Sequence, residues 1–472
     1  NSTSDERFFQ GGLPRLLYKQ RACGPVVVLS LYAMKTLESR LLESLLPWRT
    51  APAWRIAFSG GLDSTVLLHA LVRLGRTECL PPLSAIHVEH GLQNAAKGWP
   101  AHCQAVCAAL GVPLQIEAVD VQRTSSSLER AARNARYQVF AGLLGAAEVL
   151  LTAQHRDDQA ETLLFRLMRG SGLKGLAAMP RQRALGQGTL LRPLLDVSRD
   201  ELQDYARQHR LVWVEDPSNQ DVQYARNYLR QQVMPLLEQH WPAAGSVLAR
   251  TAEHLAEAQG LLDELAALDL QALQGSSEWP WLSLPSLDLC ALRSLSDARQ
   301  RNALRAFLAP MTELPDSAHW AGWHALRDAT PDATPIWRLA RGELRRAGNR
   351  LCWLSGNWLR PVGGEVEWSV AQHPLRLPGN GQLSICGEPP AGPLTVRYRR
   401  GGETLQIPGR GQRDLKRLLN EARIPAFARD RLPLLYRGEV LLAVANLPEC
   451  NAAGADLWQL NWLPEECAQG LS

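Results

Sequence analysis

No two pairs of cysteines in this chain combine into a zinc or iron–sulfur ligand set. Nine are scattered over 472 residues. Cys103 and Cys107 lie four apart, on one face of a helix, but no second pair completes a ligand set. An odd number without framework spacing also excludes a disulfide scaffold, leaving free thiols in a reducing cytosol as the reading and the cytoplasm as the expected location. No stretch approaches the length of a membrane-spanning helix, so no membrane role is expected. Internal repeats and long low-complexity tracts are absent too. A strong net charge is lacking: the formal value is +4, too mild to announce a nucleic-acid binder. Its distribution says more. Between Arg397 and Arg437 stand eleven basic residues against four acids, a local charge of +7 that leaves −3 for the remainder. An apolar content of 46% in a chain of this length supports more than one core. The first methionine is Met34, and the apolar patch Val26 to Leu31 ahead of it has no signal-type cleavage site. Residues 1–33 are therefore expected to be a non-native or mis-called extension, with the working protein opening at Met34.

The most informative stretch present is Ser59-Gly60-Gly61-Leu62-Asp63-Ser64-Thr65. A short apolar run, Trp54 to Phe58, precedes it, and Thr65 to Leu74 follows with helical apolar spacing. A glycine pair between strand and helix exposes backbone N–H groups to an anion, and the helix N-terminus adds its positive end. Ser59, Ser64 and Thr65 add hydroxyl donors for phosphate oxygens. The stretch reads as a cradle for a nucleotide pyrophosphate. It is not a Walker A loop, because the Gly-Lys-Ser/Thr ending is missing. Asp63 would repel phosphates unless a cation stood between them, which argues for Mg²⁺ held jointly with the nucleotide.

Strand-like and helix-like segments alternate from about residue 50 to 215. Ser84–Val88, Leu114–Val119 and Val149–Thr152 read as strands, Asn94–Leu110 and Leu128–Leu144 as helices. Such alternation predicts a parallel sheet covered on both faces, with ligands beyond the carboxyl ends of its strands. Polar motifs fall at those ends: SGGLDS, His87-Val88-Glu89-His90-Gly91, and Thr152-Ala153-Gln154-His155. The spacing could suggest metal ligands, but on a strand His87 and Glu89 face one way and His90 the other, which favours a strand-end histidine that stacks near the nucleotide or is simply packed. After Pro217 the texture turns helical, over Arg226–Leu237 and Val247–Leu273. It becomes strand-like from Ile336 to Leu354 and ends in a small mixed unit, with a helix expected over Arg413–Asn420 carrying Arg413, Lys416 and Arg417 on one turn.

A second constellation, His155-Arg156-Asp157-Asp158-Gln159-Ala160-Glu161-Thr162, puts three acids in the first turns of a helix, more than capping requires. Their chemical use would be metal binding or the gripping of a cationic amine.

SGGxDS resembles the signature of the PP-loop ATP pyrophosphatases. The run Thr152 to Thr162 resembles TAxHxxDxxET of the tRNA(Ile)-lysidine synthetase family. Further strings agree in order: HVEHGL (with Glu89 where the family often carries Asn, His or Asp), Glu129 with Arg133, Arg136 and Tyr137, Arg166 with Arg169, Gly170 and Gly172, Arg192-Pro193-Leu194-Leu195, and Glu215-Asp216-Pro217-Ser218-Asn219 leading to Arg226-Asn227. GRGQRDLKRLLNEARIPAFARDRLPLL, near the end, is similar to the family's terminal domain. The resemblance covers roughly residues 35 to 460.

This resemblance implies an α/β chain: a Rossmann-like PP-loop domain over 34–217, a helix-rich central tRNA-contacting domain over 218–370, and a small mixed α+β tRNA-binding domain over 371–472. It implies a ligase that uses ATP and Mg²⁺ to join free L-lysine to the wobble cytidine of a tRNA(Ile) with a CAU anticodon, through an adenylated cytidine. Ser59, Gly60, Gly61, Leu62, Ser64 and Thr65 would cradle pyrophosphate, and Asp63 would hold the metal. His87 and His155 would border adenine and ribose. Asp158 and Glu161 would grip the lysine α-amino group or the metal. Arg133 and Arg136 would stabilise the phosphates or the cytosine adenylate, and Arg226 would reach the α-phosphate or the RNA backbone. Members commonly pair, so a homodimer is expected. A tRNA thiolase of the same superfamily would need a CxxC pair, which this chain lacks; a non-catalytic binding protein would not need Asp63, Asp158 and Glu161 together.

Overall fold

A computed structural model of the chain describes residues 36–89, 98–119, 128–275, 278–314, 319–330, 333–452 and 458–465. His90, Gly91, the helix start expected at Asn94, the Glu129 side chain and residues 1–33 lie outside the described residues. By its contacts the chain divides into two compact units, Asn1–Gly170 with Ala178–Arg250, and Ser171–Ala177 with Thr251–Ser472.

The first unit is built on six strands: β1 (Trp54–Ala57), β2 (Leu83–Glu89), β3 (Leu114–Ala118), β4 (Val149–Leu151), β5 (Gln182–Leu185) and β6 (Gly188–Leu191). Their order is β3-β2-β1-β4-β6-β5. All neighbours run parallel except the β5–β6 hairpin, which closes one edge. Helices α1 (Leu37–Leu45), α2 (Leu62–Leu74), α3 (Trp99–Leu110), α4 (Leu128–Leu143), α5 (Arg156–Leu167) and α7 (Arg199–Gln208) follow the chain through and around it, while α6 (Leu173–Leu176) falls in the segment that belongs to the second unit. The short strands are apolar because both sheet faces are covered. One face joins Trp54, Ile56, Val66, Leu67, Leu71, Leu202 and Tyr205. The other joins Ile86, Leu150 and Leu190 to Phe140 of α4 and to Leu144 just after it. Connections from each parallel strand must leave at its carboxyl end, so the loops after β1, β2, β4 and β6 share one edge.

The expected domain junction at 217 falls inside this unit, which continues to Arg250. The continuation is helical: α8 (Ala225–Tyr228), a π-helical turn (Leu229–Val233), α9 (Met234–His240) and α10 (Ala244–Leu273). Two arginines from α8 and the π turn bond to α5, which explains why the segment belongs with the sheet.

In the second unit, α11 (Leu289–Ser294), α12 (Asp297–Leu308) and α13 (Trp320–Asp328) surround a sheet of β7 (Ser286–Asp288), β8 (Ile336–Leu339), β9 (Gly342–Ala347) and β10 (Arg350–Ser355). The remaining strands, β11 (Val366–Trp368), β12 (Leu375–Arg376), β13 (Gln382–Gly387), β14 (Leu394–Arg397), β15 (Thr404–Ile407), β16 (Gly411–Asp414), β17 (Leu434–Arg437), β18 (Val440–Val444) and β19 (Trp458–Leu463), form antiparallel sheets with α14 (Leu415–Glu421) and α15 (Ala426–Arg429). Arg413 corrects an expectation: it lies on β16, opposite Leu405, and not on the helix. Asp414 ends the strand and caps α14 by accepting from the Arg417 N–H, so only Lys416 and Arg417 are helical. Ten of the fifteen tryptophans are buried, which makes them core residues and not stacking platforms for bases.

Candidate active site

The turn after β1 is held by a backbone that only glycine adopts easily. Gly60 has φ +81°. A Cβ there would also meet Cys103 Sγ at 2.9 Å and Val214 Cγ2 at 3.3 Å. Its carbonyl accepts from the Val214 N–H at 3.0 Å, tying the turn to the segment after α7. Gly61 caps α2 without any side-chain hydrogen bond, so the first N–H groups of the helix remain available to an anion. Ser64 and Thr65 are buried, and their hydroxyls donate to the Gly61 carbonyl at 3.0 and 2.9 Å. They brace the loop from within. Ser59 is the exposed hydroxyl of the set, 3.0 Å from Ser64 Oγ. Leu62 is buried and offers its backbone alone. His87 lies under the turn, its Nδ1 donating to the Phe58 carbonyl at 2.9 Å; burial pushes its pKa down, which keeps the ring neutral.

A second strand end, after β4, brings the acids to this loop. His155 is 1% exposed and starts α5. Its ring lies 3.7 Å from Asp63 Oδ2, 3.4 Å from Asp157 Oδ2 and 3.6 Å from Asp158 Oδ2. Burial alone would lower its pKa, yet Asp158, Asp157 and Asp63 outweigh it and hold the imidazole above its ordinary value. Asp157 also accepts from the Arg199 N–H at 2.8 Å. Burial opposes its ionisation, but the nearby His155 imidazole and the Arg199 N–H win and bring it down to about 2. His155 is thus the physical link between the aspartate of the loop and the acids of α5.

Asp158 and Glu161 are 9% and 2% exposed. Two guanidiniums hold them. Arg226 donates to Asp158 Oδ1 and Glu161 Oε2, both at 3.1 Å. Arg230 donates to Asp158 Oδ1 at 3.0 Å and to Glu161 Oε1 at 2.6 Å. Burial would raise the Asp158 pKa, but His155, Arg226 and Arg230 bring it below its usual value. Arg230 is a member that the sequence reading did not name. Its signal was its place four residues after Arg226, on the same helix face.

Asp63 differs from its neighbours. Burial is the largest influence and raises its pKa, assisted by Asp158 and opposed by His155. Its Oδ1 is buried and has no hydrogen-bond partner. An orphaned carboxylate oxygen beside an anion cradle fits a cation. Among the described residues no group of three acids, histidines or cysteines could hold a metal unaided. Mg²⁺ suits such a place, since it is commonly bound by one or two carboxylates together with substrate phosphates and water.

Arg133 and Arg136 sit apart from this cluster on α4. Arg133 is exposed and lies 5.1 Å from the centre of the Tyr137 ring. Arg136 is half-buried and feels Asp216. Among the described residues no ion pair joins either to the acids of α5.

A glycine-built anion cradle on a parallel sheet, with an aspartate in its helix turn, defines a PP-loop nucleotide-binding enzyme. The PP-loop domain family matches residues 33–237. The TilS substrate binding domain matches 287–352, and the TilS substrate C-terminal domain matches 394–462. The chain is 61% identical over 439 residues to the tRNA(Ile)-lysidine synthase of Pseudomonas aeruginosa, covering 92% of this chain and 99% of that one. Against the tRNA(Ile)-lysidine synthase of Xanthomonas campestris it is 43% identical over 413 residues, covering 85% and 92%. The chain belongs to the tRNA(Ile)-lysidine synthase family. No described helix is long and apolar enough to cross a membrane.

Proposed function

We propose that this chain joins free L-lysine to the wobble cytidine of a tRNA(Ile) bearing a CAU anticodon, with ATP as the activating substrate. The cytosine 2-carbonyl oxygen attacks the α-phosphorus of ATP, and pyrophosphate leaves. Lysine's amine then attacks C2, and AMP departs with the oxygen, leaving lysidine. Extra negative charge in the first step falls on the phosphates. Backbone N–H groups of Leu62 to Ser64, at the open start of α2, would lower its energy without reorganising. Asp63 would hold Mg²⁺, which, when bound, screens the phosphates and supports the departing pyrophosphate.

The observation that carries this reading is the His155 bridge from Asp63 to Asp158. That contact supports the reading, because a ligation between a nucleotide-activated base and a cationic amino acid needs acids able to receive an amine close to the phosphates. Asp158 and Glu161 receive the α-ammonium of lysine, while Arg226, sharing those carboxylates with Arg230, is released toward the α-phosphate. His87 and His155 border the nucleoside. Residues 218–370 and 371–472 hold the body of the tRNA, in keeping with the substrate domains matched there. The setting is cytoplasmic, in keeping with seven described cysteines that are all free thiols, and the working form is a homodimer, testable by light scattering.

Incubation with ATP, labelled lysine and an unmodified CAU-anticodon tRNA should transfer label to the tRNA with one AMP per lysine. A requirement for a sulfur donor, or tRNA binding without turnover, would refute the reading.

A further inference from the structure

A second group of arginines occupies the same sheet edge and lacks what the first group has. Tyr137 of α4 is its hub. Arg133 lies 5.1 Å and Arg183 4.8 Å from the ring centre, and Arg192 is near enough to the phenol to favour its ionised form. Arg183 belongs to the edge strand β5 and is exposed. Arg192 follows the carboxyl end of β6, two strands from β1 and so about 10 Å across the sheet from the PP-loop.

The lower part of the cluster is anchored by main chain. Arg192 is 3% exposed and donates from Nη1 to the Pro180 carbonyl at 2.6 Å; its Nε is buried without a partner. Arg166, at the end of α5, donates to the Ala178 carbonyl at 2.7 Å. Among the described residues no ion pair joins Arg133, Arg183 or Arg192 to a carboxylate. Burial alone would raise the Tyr137 pKa, yet Arg133, Arg192 and Arg183 together bring it down. The Arg133, Arg183 and Arg192 guanidiniums thus gather around one tyrosine, and among the described residues no ion pair balances them.

We propose that this Tyr137 cluster is a binding site for the phosphodiester backbone of the RNA substrate. It rests on the proposed tRNA reaction and extends it: Tyr137 and Arg192 fix the base of the site, and Arg133 and Arg183 grip the anion. Planar guanidiniums suit phosphate oxygens, and stacking on the ring limits the freedom they lose on binding.

The test uses Arg183→Ala, Arg183→Glu and Arg183→Lys in the full chain, with folding checked by circular dichroism. Dissociation constants for the unmodified CAU tRNA are measured between about 50 and 200 mM salt. Arg183→Ala should weaken binding about fivefold and lessen the slope of log Kd against log salt by about one. Arg183→Glu should weaken it further, Arg183→Lys should stay near wild type, and KM for ATP should not move. Unchanged affinity and slope in both the alanine and glutamate variants would overturn the proposal. So would a raised KM for ATP with unchanged tRNA affinity, which would assign the cluster to nucleotide phosphates. Lysine transfer by the wild-type chain, measured alongside, separates the two ideas. Lost tRNA affinity in the variants without wild-type transfer would keep the RNA site and remove the proposed reaction.

Discussion

Two arginine clusters lie along one edge of the same sheet, and they handle charge in opposite ways. Around His155, Arg226 and Arg230 are locked onto Asp158 and Glu161 by bonds of 2.6 to 3.1 Å. Around Tyr137, Arg133, Arg183 and Arg192 meet an aromatic ring, its hydroxyl and a carbonyl oxygen. Paired groups depend on one another, because removing either partner strands a buried charge. Unpaired groups depend on something from outside. The first arrangement suits exchange of one cation for another, the second suits capture of an anion. Both draw on residues at the carboxyl ends of parallel strands, β4 for the first and β6 for the second.

The largest effect that would break this contrast concerns Asp63. Asp63→Asn should reduce AMP formation below about one per cent of wild type, while tRNA affinity stays within about twofold, since the arginine sites are untouched. Comparable turnover in the variant would remove the metal role. Next comes Glu161→Gln. It leaves Arg230 without its closest anion in a buried place, and urea unfolding should show a loss of about 3 kcal/mol, with lysine transfer failing as well. A loss under about 0.5 kcal/mol would mean that the pairing is incidental.

The pH dependence separates the clusters further. Asp157 and Asp158 have folded pKa values below the ordinary 3.8, Asp157 at about 2. Their contribution to stability is complete above 3.8 and is lost as pH falls through the folded values. His155 is raised above its ordinary 6.5, so its contribution is complete below 6.5 and fades as pH climbs through the folded value. The His155 cluster should therefore support a stability plateau between those limits, worth about 2 kcal/mol for Asp157 against acid. His155→Asn, measured by thermal melts across pH, should flatten the alkaline shoulder. A shoulder unchanged in that variant would place the titration elsewhere. Smallest is Arg133→Ala, which removes an exposed group that no ion pair joins to a carboxylate among the described residues. Stability should change by less than about 0.5 kcal/mol, against a loss of several for the buried pair. Equal destabilisation by Arg133→Ala and Arg230→Ala would erase the distinction between the clusters.

Local strings were readable in the sequence because their chemistry is local. A glycine pair between an apolar run and a helix, and three acids opening another helix, mean the same thing before and after folding. The sheet was legible in its parallel strands, while the β5–β6 hairpin went unread although Gly186 sits in its two-residue turn at φ +56°. Arg413 was misassigned because its strand pairing with Leu405 overrides a helix-like sequence. The capping signal at Asp414, three residues before Arg417, was available and marks the true helix start. What could not be read was the partnership of Arg230 with Glu161, 69 residues apart. Only the folded chain returning over α5 makes it. The Tyr137 cluster is of the same kind, since α4, α5, β5 and the end of β6 each contribute one part.

The central claim is that the turn after β1 and Asp63 hold ATP and a divalent cation as one unit. Mn²⁺ titration followed by electron paramagnetic resonance, with ATP present, tests it most directly. Wild type should bind one Mn²⁺ per chain with ATP and far less without it, and Asp63→Asn should lose that site while ATP still competes weakly. Equal Mn²⁺ binding by wild type and Asp63→Asn would contradict the claim.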